Sequence, residues 1–227
     1  MFLWGDPTFI LLIPAMIFAM YAQGKVKSTF NRYLRVRGNQ GYTGAQAARK
    51  ILEAEGLYNI SIELVNGHLS DHYDPRKKVL RLSNAVYNGT SVASLGVAAH
   101  EVGHAIQHAT GYAPLAIRNS LAPIAGFGSQ AAWFLFLMGL LFDITNLMTI
   151  GIWFFVSVVL FQVITLPVEF NASSRAINLL VSQGLLTSGE IMPAKRVLNA
   201  AALTYVAATV TAITQLLRLL ILRGRRD

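Results

Sequence analysis

His100, Glu101 and His104 stand at a spacing that suits hydrolytic metal chemistry. They fall in an Ala-rich run, Ser91 to Ala109, that contains no proline and has helix-compatible spacing. On an α-helix, positions i and i+4 share one face a turn apart. His100 and His104 can therefore aim two imidazole nitrogens at one ion. Glu101 lies about 100° around the helix from His100, so its carboxylate flanks that ion, where an attacking water would sit. This H-E-x-x-H pattern supplies two zinc ligands and a general base. The bland alternative is a packed helix with two unrelated histidines. It would leave an acid buried beside them among Ala98, Ala99, Ala105 and Ile106, a cost that a cation removes.

A catalytic zinc site takes three protein ligands and keeps one position open. The chain has no cysteine, so the third ligand must be a histidine or a carboxylate. His108 continues the face of His100 and His104, but it lies about 12 Å along the axis from His100. Zinc–nitrogen bonds are about 2 Å long, so His108 is expected to pack or to support the site. No histidine follows it, and the downstream carboxylates are Asp143, Glu169, Glu190 and Asp227. Asp143 sits in the far turn of an apolar hairpin, a bilayer's thickness of about 30 Å away. Asp227 stands at the end of the sequence. Glu190 closes Thr187-Ser188-Gly189-Glu190, which has the form of a helix capping box. Glu169 remains, and it is expected to complete the site. Asn171, Ser173 and Arg175 lie within two turns of it, and one of them can fix the tautomer of a ligand imidazole. Tyr73, Tyr87, His72, His108 and Arg175 stay open as partners for a developing oxyanion.

The elements that must hold these residues are those of a membrane protein. Of the 227 residues, 54% are hydrophobic and only 13% charged, too apolar for an ordinary soluble domain. The net charge of +8 is carried by basic residues beside apolar runs, which suits anionic lipid headgroups and not nucleic acid. Residues 1–23 read as a transmembrane anchor: Thr8 to Ala22 is apolar and, with Phe2-Leu3-Trp4, approaches the ~20 residues that span a bilayer. Positive charge follows this run, at Lys25, Lys27, Arg32, Arg35 and Arg37, whereas a cleaved signal peptide carries it in front. The chain from residue 24 is therefore expected in the cytoplasm.

Residues 24–118 form the expected catalytic part. Thr43 caps a helix running to about Glu55 and stopped by Gly56. Ile60 to Val65 alternates like a strand, Asn66-Gly67 signals a hairpin, and Asp74-Pro75 marks a further turn. Val79 to Leu82 is a second or third strand, expected to line the cleft as an edge that pairs with extended substrate. A plain buried strand is the other reading. Residues 119–166 hold two apolar runs, Ser120 to Phe142 and Ile144 to Leu166, each long enough to span. Pro167 ends the second, and residues 167–198 return to the cytoplasm with an amphipathic helix from Val168 to Gln183. Residues 199–227 hold a final apolar run, Asn199 to Leu222, and a basic tail. The fold class that follows is a mainly α integral membrane protein, with a small α+β zincin-like cytoplasmic part carrying the H-E-x-x-H helix.

The run Val97 to His108, together with Val168-Glu169-Phe170-Asn171-Ala172-Ser173-Ser174-Arg175-Ala176 and the upstream Ser70-Asp71-His72-Tyr73-Asp74-Pro75, resembles the YugP-like neutral zinc metallopeptidases of bacterial membranes. The resemblance implies a multi-pass zinc endopeptidase of the bacterial plasma membrane that acts on protein or peptide substrates. It assigns His100, His104 and Glu169 as zinc ligands and Glu101 as the catalytic acid/base. The layout also resembles HtpX-type membrane proteases, in which a hydrophobic hairpin separates the H-E-x-x-H helix from the glutamate ligand. Those enzymes carry an aspartate four residues after that glutamate, where this chain has Ser173. Two rivals are weighed. An intramembrane-cleaving metalloprotease would need a long apolar core around His100, and Ser91 to Ala109 follows the polar Asn88-Gly89-Thr90. A non-enzymatic zinc-binding scaffold would usually close its site with four ligands.

Overall fold

The computed structural model describes residues 7–225. Phe2-Leu3-Trp4 and the tail residues Arg226 and Asp227 lie outside them. In chain order, a 3-10 turn (Pro7–Leu11) leads into α1 (Leu12–Leu34) and α2 (Gly44–Ala54). Strands β1 (Ser61–Val65), β2 (His72–Asp74) and β3 (Val79–Ser83) follow, then α3 (Asn84–Tyr87), α4 (Val92–Ala109), α5 (Ala113–Leu141), α6 (Thr145–Ser182) and α7 (Ser188–Gly224). The chain divides into two compact units.

The first unit comprises the chain up to Gln23, Ala116–Pro167, and the chain from Thr204 on. Among the described residues, four helical stretches are long and apolar enough to cross a membrane: Pro7–Leu34, Ala113–Leu141, Thr145–Ser182 and Ser188–Gly224. Their outer surfaces carry large apolar side chains such as Phe127, Phe134 and Trp153, which is what a lipid-facing helix presents. Inside, Ala132, Phe136, Met148, Ile152, Phe155 and Leu219 form one cluster. Helices α5 and α6 approach closely at Gly151, where an added Cβ would lie 2.9 Å from Ala132 O; small residues at such crossings are usual between membrane helices. Arg218 Nε donates to Thr8 Oγ1 and Arg223 Nε to Thr149 Oγ1. The end of α7, the start of the first helix and the start of α6 therefore share one end of this unit.

The helix ends differ from the expected ones in two places. Helix α5 starts at Ala113 and not near Ser120, because Pro114 occupies its first turn, where a missing N–H costs nothing. Pro167 does not end a helix: α6 runs through it to Ser182. An interior proline costs about 3 kcal/mol. In a long apolar helix the alternative, a loop with exposed backbone groups, is dearer still.

The second unit comprises Gly24–Leu115 and Val168–Leu203. Thr43 caps α2 as expected, in a reciprocal capping box with Gln46. The sheet has the order β1-β3-β2. β1 and β3 run parallel, with Ile62 opposite Leu80, and β2 is antiparallel to β3, with Tyr73 opposite Leu80. Asn66-Gly67 therefore does not close a hairpin between neighbouring strands. The tight turn is the Asp74-Pro75 one, where Asp74 Oδ1 accepts from the N–H groups of Arg76 and Lys77. The edge role expected for Val79 to Leu82 is overturned as well: β3 is the central strand, with both edges paired and four of its five residues buried. Its short apolar run reads as an edge only until the three-residue β2, too brief to leave a pattern, is seen beside it. Leu80 and Leu82 join Ile51, Leu52, Val102 and Leu180 in the core.

Candidate metal centre

Helix α4 begins where Ser91 Oγ accepts from Ser94 N, one residue inside the expected start. It is buried around most of its girth, from Val92 to Gln107, and a helix apolar nearly all round belongs inside a core. His100 and His104 are among the partly open positions on it. Their rings meet edge to face, with centroids 4.7 Å apart, as the i, i+4 spacing requires.

Helix α6 brings Glu169 to the same point. His100 Nε2 lies 3.3 Å and His104 Nε2 3.6 Å from Glu169 Oε2, and the three ligand atoms all fall within 4.8 Å of one another. Direct N–H···O bonds are usually 2.7–3.2 Å. Bonds of about 2.0–2.1 Å to a tetrahedral ion space their ligand atoms roughly 3.3–3.4 Å apart. The two separations from Glu169 Oε2 suit an ion shared with the imidazoles. Among the described residues no other His, Asp or Glu joins it, so the donor set is that of an open site. Glu169 is only 2% exposed, and a carboxylate so deep needs cationic company.

The other ring nitrogens have partners of their own. Gln107 Nε2 donates to Val168 O at 2.8 Å and to Asn171 Oδ1 at 3.0 Å. Its Oε1 is left to accept from His104 Nδ1–H at 3.0 Å, so His104 Nε2 carries the lone pair. Ser173 Oγ lies 3.1 Å from His100 Nδ1 and orients the other ring. Burial disfavours charge on His104, but the Glu169 carboxylate, aided by Glu101, outweighs it and raises the imidazole above its ordinary pKa. Glu101 itself is buried on α4, 8% exposed, and stands outside the three-ligand group.

The remaining expected residues sort by contact. Of the three polar neighbours of Glu169, Ser173 touches a ligand ring directly, whereas Arg175 Nε donates to Asn171 Oδ1. His108 is not in the group; its Nδ1 is 3.0 Å from Tyr73 OH on β2. His72 faces Ser70 O. Glu190 Oε2 accepts from Thr187 N and Oγ1, and its Oε1 accepts from Asn39 N, the capping role its position suggests.

Two residues escaped the sequence reading. Gln107 is fully buried; its signal was a polar side chain at i+3 from His104 on an apolar helix. Gly103 is the other. A Cβ there would lie 2.8 Å from Ala172 O and 3.2 Å from Ala172 Cα, so α4 and α6 touch backbone to backbone at this point. Its signal was a glycine inside a helix, which costs about 1 kcal/mol unless packing requires it.

Sequence comparison places these features in company. The family described as "Putative neutral zinc metallopeptidase" matches residues 8–224. The chain is 48% identical to the "Putative membrane protease YugP" of Bacillus subtilis (strain 168) over 219 residues, 96% of this chain and 97% of that protein. No solved structure matches it.

Proposed function

The chain belongs to the family of neutral zinc metallopeptidases, and from that premise we propose that it is a multi-pass zinc endopeptidase of the bacterial plasma membrane. His100, His104 and Glu169 would hold the ion. The single observation that carries this reading is the convergence of two Nε2 atoms and one carboxylate oxygen at 3.3–3.6 Å, with both Nδ1 atoms engaged elsewhere. Zinc in such a site supplies a Lewis acid and lowers the pKa of bound water toward ~7. The chain's own chemistry centres on Glu101. As general base, its carboxylate takes the proton of the attacking water and then delivers it to the leaving amine. Burial keeps that carboxylate away from competing bulk water. Gln107 and Ser173 keep both imidazoles oriented while charge builds at the site.

The active site is assigned to the cytoplasmic face. Lys25, Lys27, Arg32, Arg35, Arg37, Arg118, Arg175, Lys195 and Arg196 flank the apolar stretches on the side that carries the site in the chain order, and cytoplasmic segments are those enriched in Lys and Arg. The open three-ligand donor set favours catalysis over a zinc-retaining scaffold.

The experiment is Glu101→Gln, which keeps shape and removes the proton acceptor. Zinc content and detergent-state melting should match the parent, while cleavage of an unfolded protein falls about 10²–10⁴-fold. Cleavage at the parent's rate would remove Glu101 as the base. A parent inert toward a broad panel of substrates would return the scaffold.

A further inference from the structure

A second polar site lies in the cavity between the C-terminal half of α1 and the first half of α7, with a volume of about 400 Å³. Lys25, Thr29 and Arg32 form one stripe of α1 at helical spacing, and Arg196, Ala200 and Leu203 form the facing stripe of α7; Tyr33 and Asn199 complete the wall. Three cations thus converge on one hollow, and no carboxylate lines it.

The cations are held in place. Tyr33 is buried, 6% exposed, and its hydroxyl accepts from Arg196 Nη1 at 3.1 Å. Arg32 Cζ lies 5.7 Å from the centroid of the same ring, within cation–π reach. One aromatic ring therefore fixes two guanidinium groups, while among the described residues neither they nor Lys25 form a salt bridge. Guanidinium pairs so arranged suit phosphate oxygens, with Thr29 and Asn199 as additional hydrogen-bonding groups. Ala200 leaves the space open.

We propose that this cavity binds a phosphate-bearing group, the headgroup of an anionic phospholipid. The position favours a lipid over a free phosphate. Lys25 is the first charge after the apolar run that ends at Ala22, and α7 carries no charged residue from Asn199 to Leu217. Headgroup regions extend only about 5–8 Å beyond the hydrocarbon, and Lys25 lies about 4.5 Å past Ala22 by the helical rise. Side chains on a helix lean toward its N-terminus, which on α1 is toward the apolar run, and Arg32 lines the same cavity as Lys25. Leu203 gives the hollow an apolar side for the start of an acyl chain. Basic pockets between membrane helices are recognised phospholipid sites.

The test uses the full chain. Protein extracted from membranes rich in phosphatidylglycerol is delipidated in neutral detergent, and retained phospholipid is counted by native mass spectrometry. One phosphatidylglycerol per chain should persist in the parent and in Lys27→Gln, a cation of α1 that does not line the cavity. Retention should fall at least tenfold in Arg32→Gln/Arg196→Gln. Ala200→Leu fills the hollow without changing charge and should show the same loss, which covers the case of a double variant that folds poorly. In a second arm, inorganic phosphate is titrated into delipidated protein by calorimetry. Saturable binding by the parent that the double variant loses, with no lipid retained, would keep the phosphate site and make free phosphate its occupant. The proposal falls if the parent holds neither ligand, or if both cavity variants hold either one as the parent does. Zinc content should be the same in all of these proteins, so the outcome is independent of the peptidase reading.

Discussion

Gly103→Ala tests whether the metal centre depends on the close approach of α4 and α6. The new Cβ would stand 2.8 Å from Ala172 O, whereas ordinary contact begins at 3.4 Å. The deficit, 3.4 − 2.8 = 0.6 Å, falls on backbone atoms of two helices, so no side-chain rotation relieves it. Glu169 lies three residues from Ala172 on α6, under one turn away, and moves with it. Metal–ligand distances tolerate only about ±0.2 Å, so a displacement near 0.6 Å puts the carboxylate out of reach of an ion held by His100 and His104. Overpacking of this kind costs about 1–3 kcal/mol, which corresponds to zinc affinity weaker by roughly 5–150-fold. The paired control is Gly96→Ala, on the same helix, whose Cβ would meet nothing within 4 Å. It should gain up to about 1 kcal/mol from helix propensity. The assay is zinc per chain after equilibration with a competing chelator, read beside the melting temperature. Gly103→Ala with the parent's zinc affinity and a raised melting temperature would refute the argument that this glycine sets the spacing.

Gln107→Leu should weaken zinc binding about 10–100-fold, because His104 Nδ1 loses its acceptor while the core keeps its volume; chelator competition reads it, and unchanged affinity would free His104 of that partner. Arg81→Pro should unfold the sheet and not merely impair substrate binding: it removes a ladder hydrogen bond from a central strand and the ion pairs with Glu63 and Asp74. Loss of cooperative melting in detergent is the expected result, and a folded variant with a raised Michaelis constant would restore the cleft-edge reading. Because the chain has no cysteine, single cysteines report topology without background. Tyr58→Cys, 73% exposed in the second unit, should react with an impermeant thiol reagent only after permeabilisation, and Phe142→Cys, at the α5–α6 link, should react on intact cells. The opposite labelling pattern would turn the orientation over.

What could be read from the chain and what could not divide along one physical line. Features set by neighbours in sequence were legible. The i, i+4 histidines, the Thr43 cap, the Glu190 contact with Thr187 and the apolar runs all depend on spacing within one helix or on hydration. Glu169 was reachable as well, by eliminating carboxylates whose positions gave them other tasks. Features set by contact between distant segments left weaker traces. β2 pairs over three residues, too few for a pattern, and with it hidden β3 passed for an edge. Gly103, between His100 and His104, drew no reading from the sequence, and its contact is with Ala172, 69 residues on.

Pro167 carries the most consequence of these. Read locally, it separates a membrane span from a new helix, and Glu169 would then sit on an element free to be placed by a loop. In the structure Glu169 lies on the same continuous helix as the apolar run before it. Sites built on regular elements hold their geometry better than sites on loops, and a zinc site needs its third ligand fixed to a few tenths of an ångström. Helical continuity through Pro167 keeps Glu169 on a regular element and not on a loop. Gly103 against Ala172 sets the spacing across the helix pair. Gln107, donating to Val168 O and Asn171 Oδ1 while accepting from His104, ties the ring of one helix to the backbone of the other. These features position the stretch of α6 that bears Glu169, and only the proline among them had been assigned the opposite effect from the sequence.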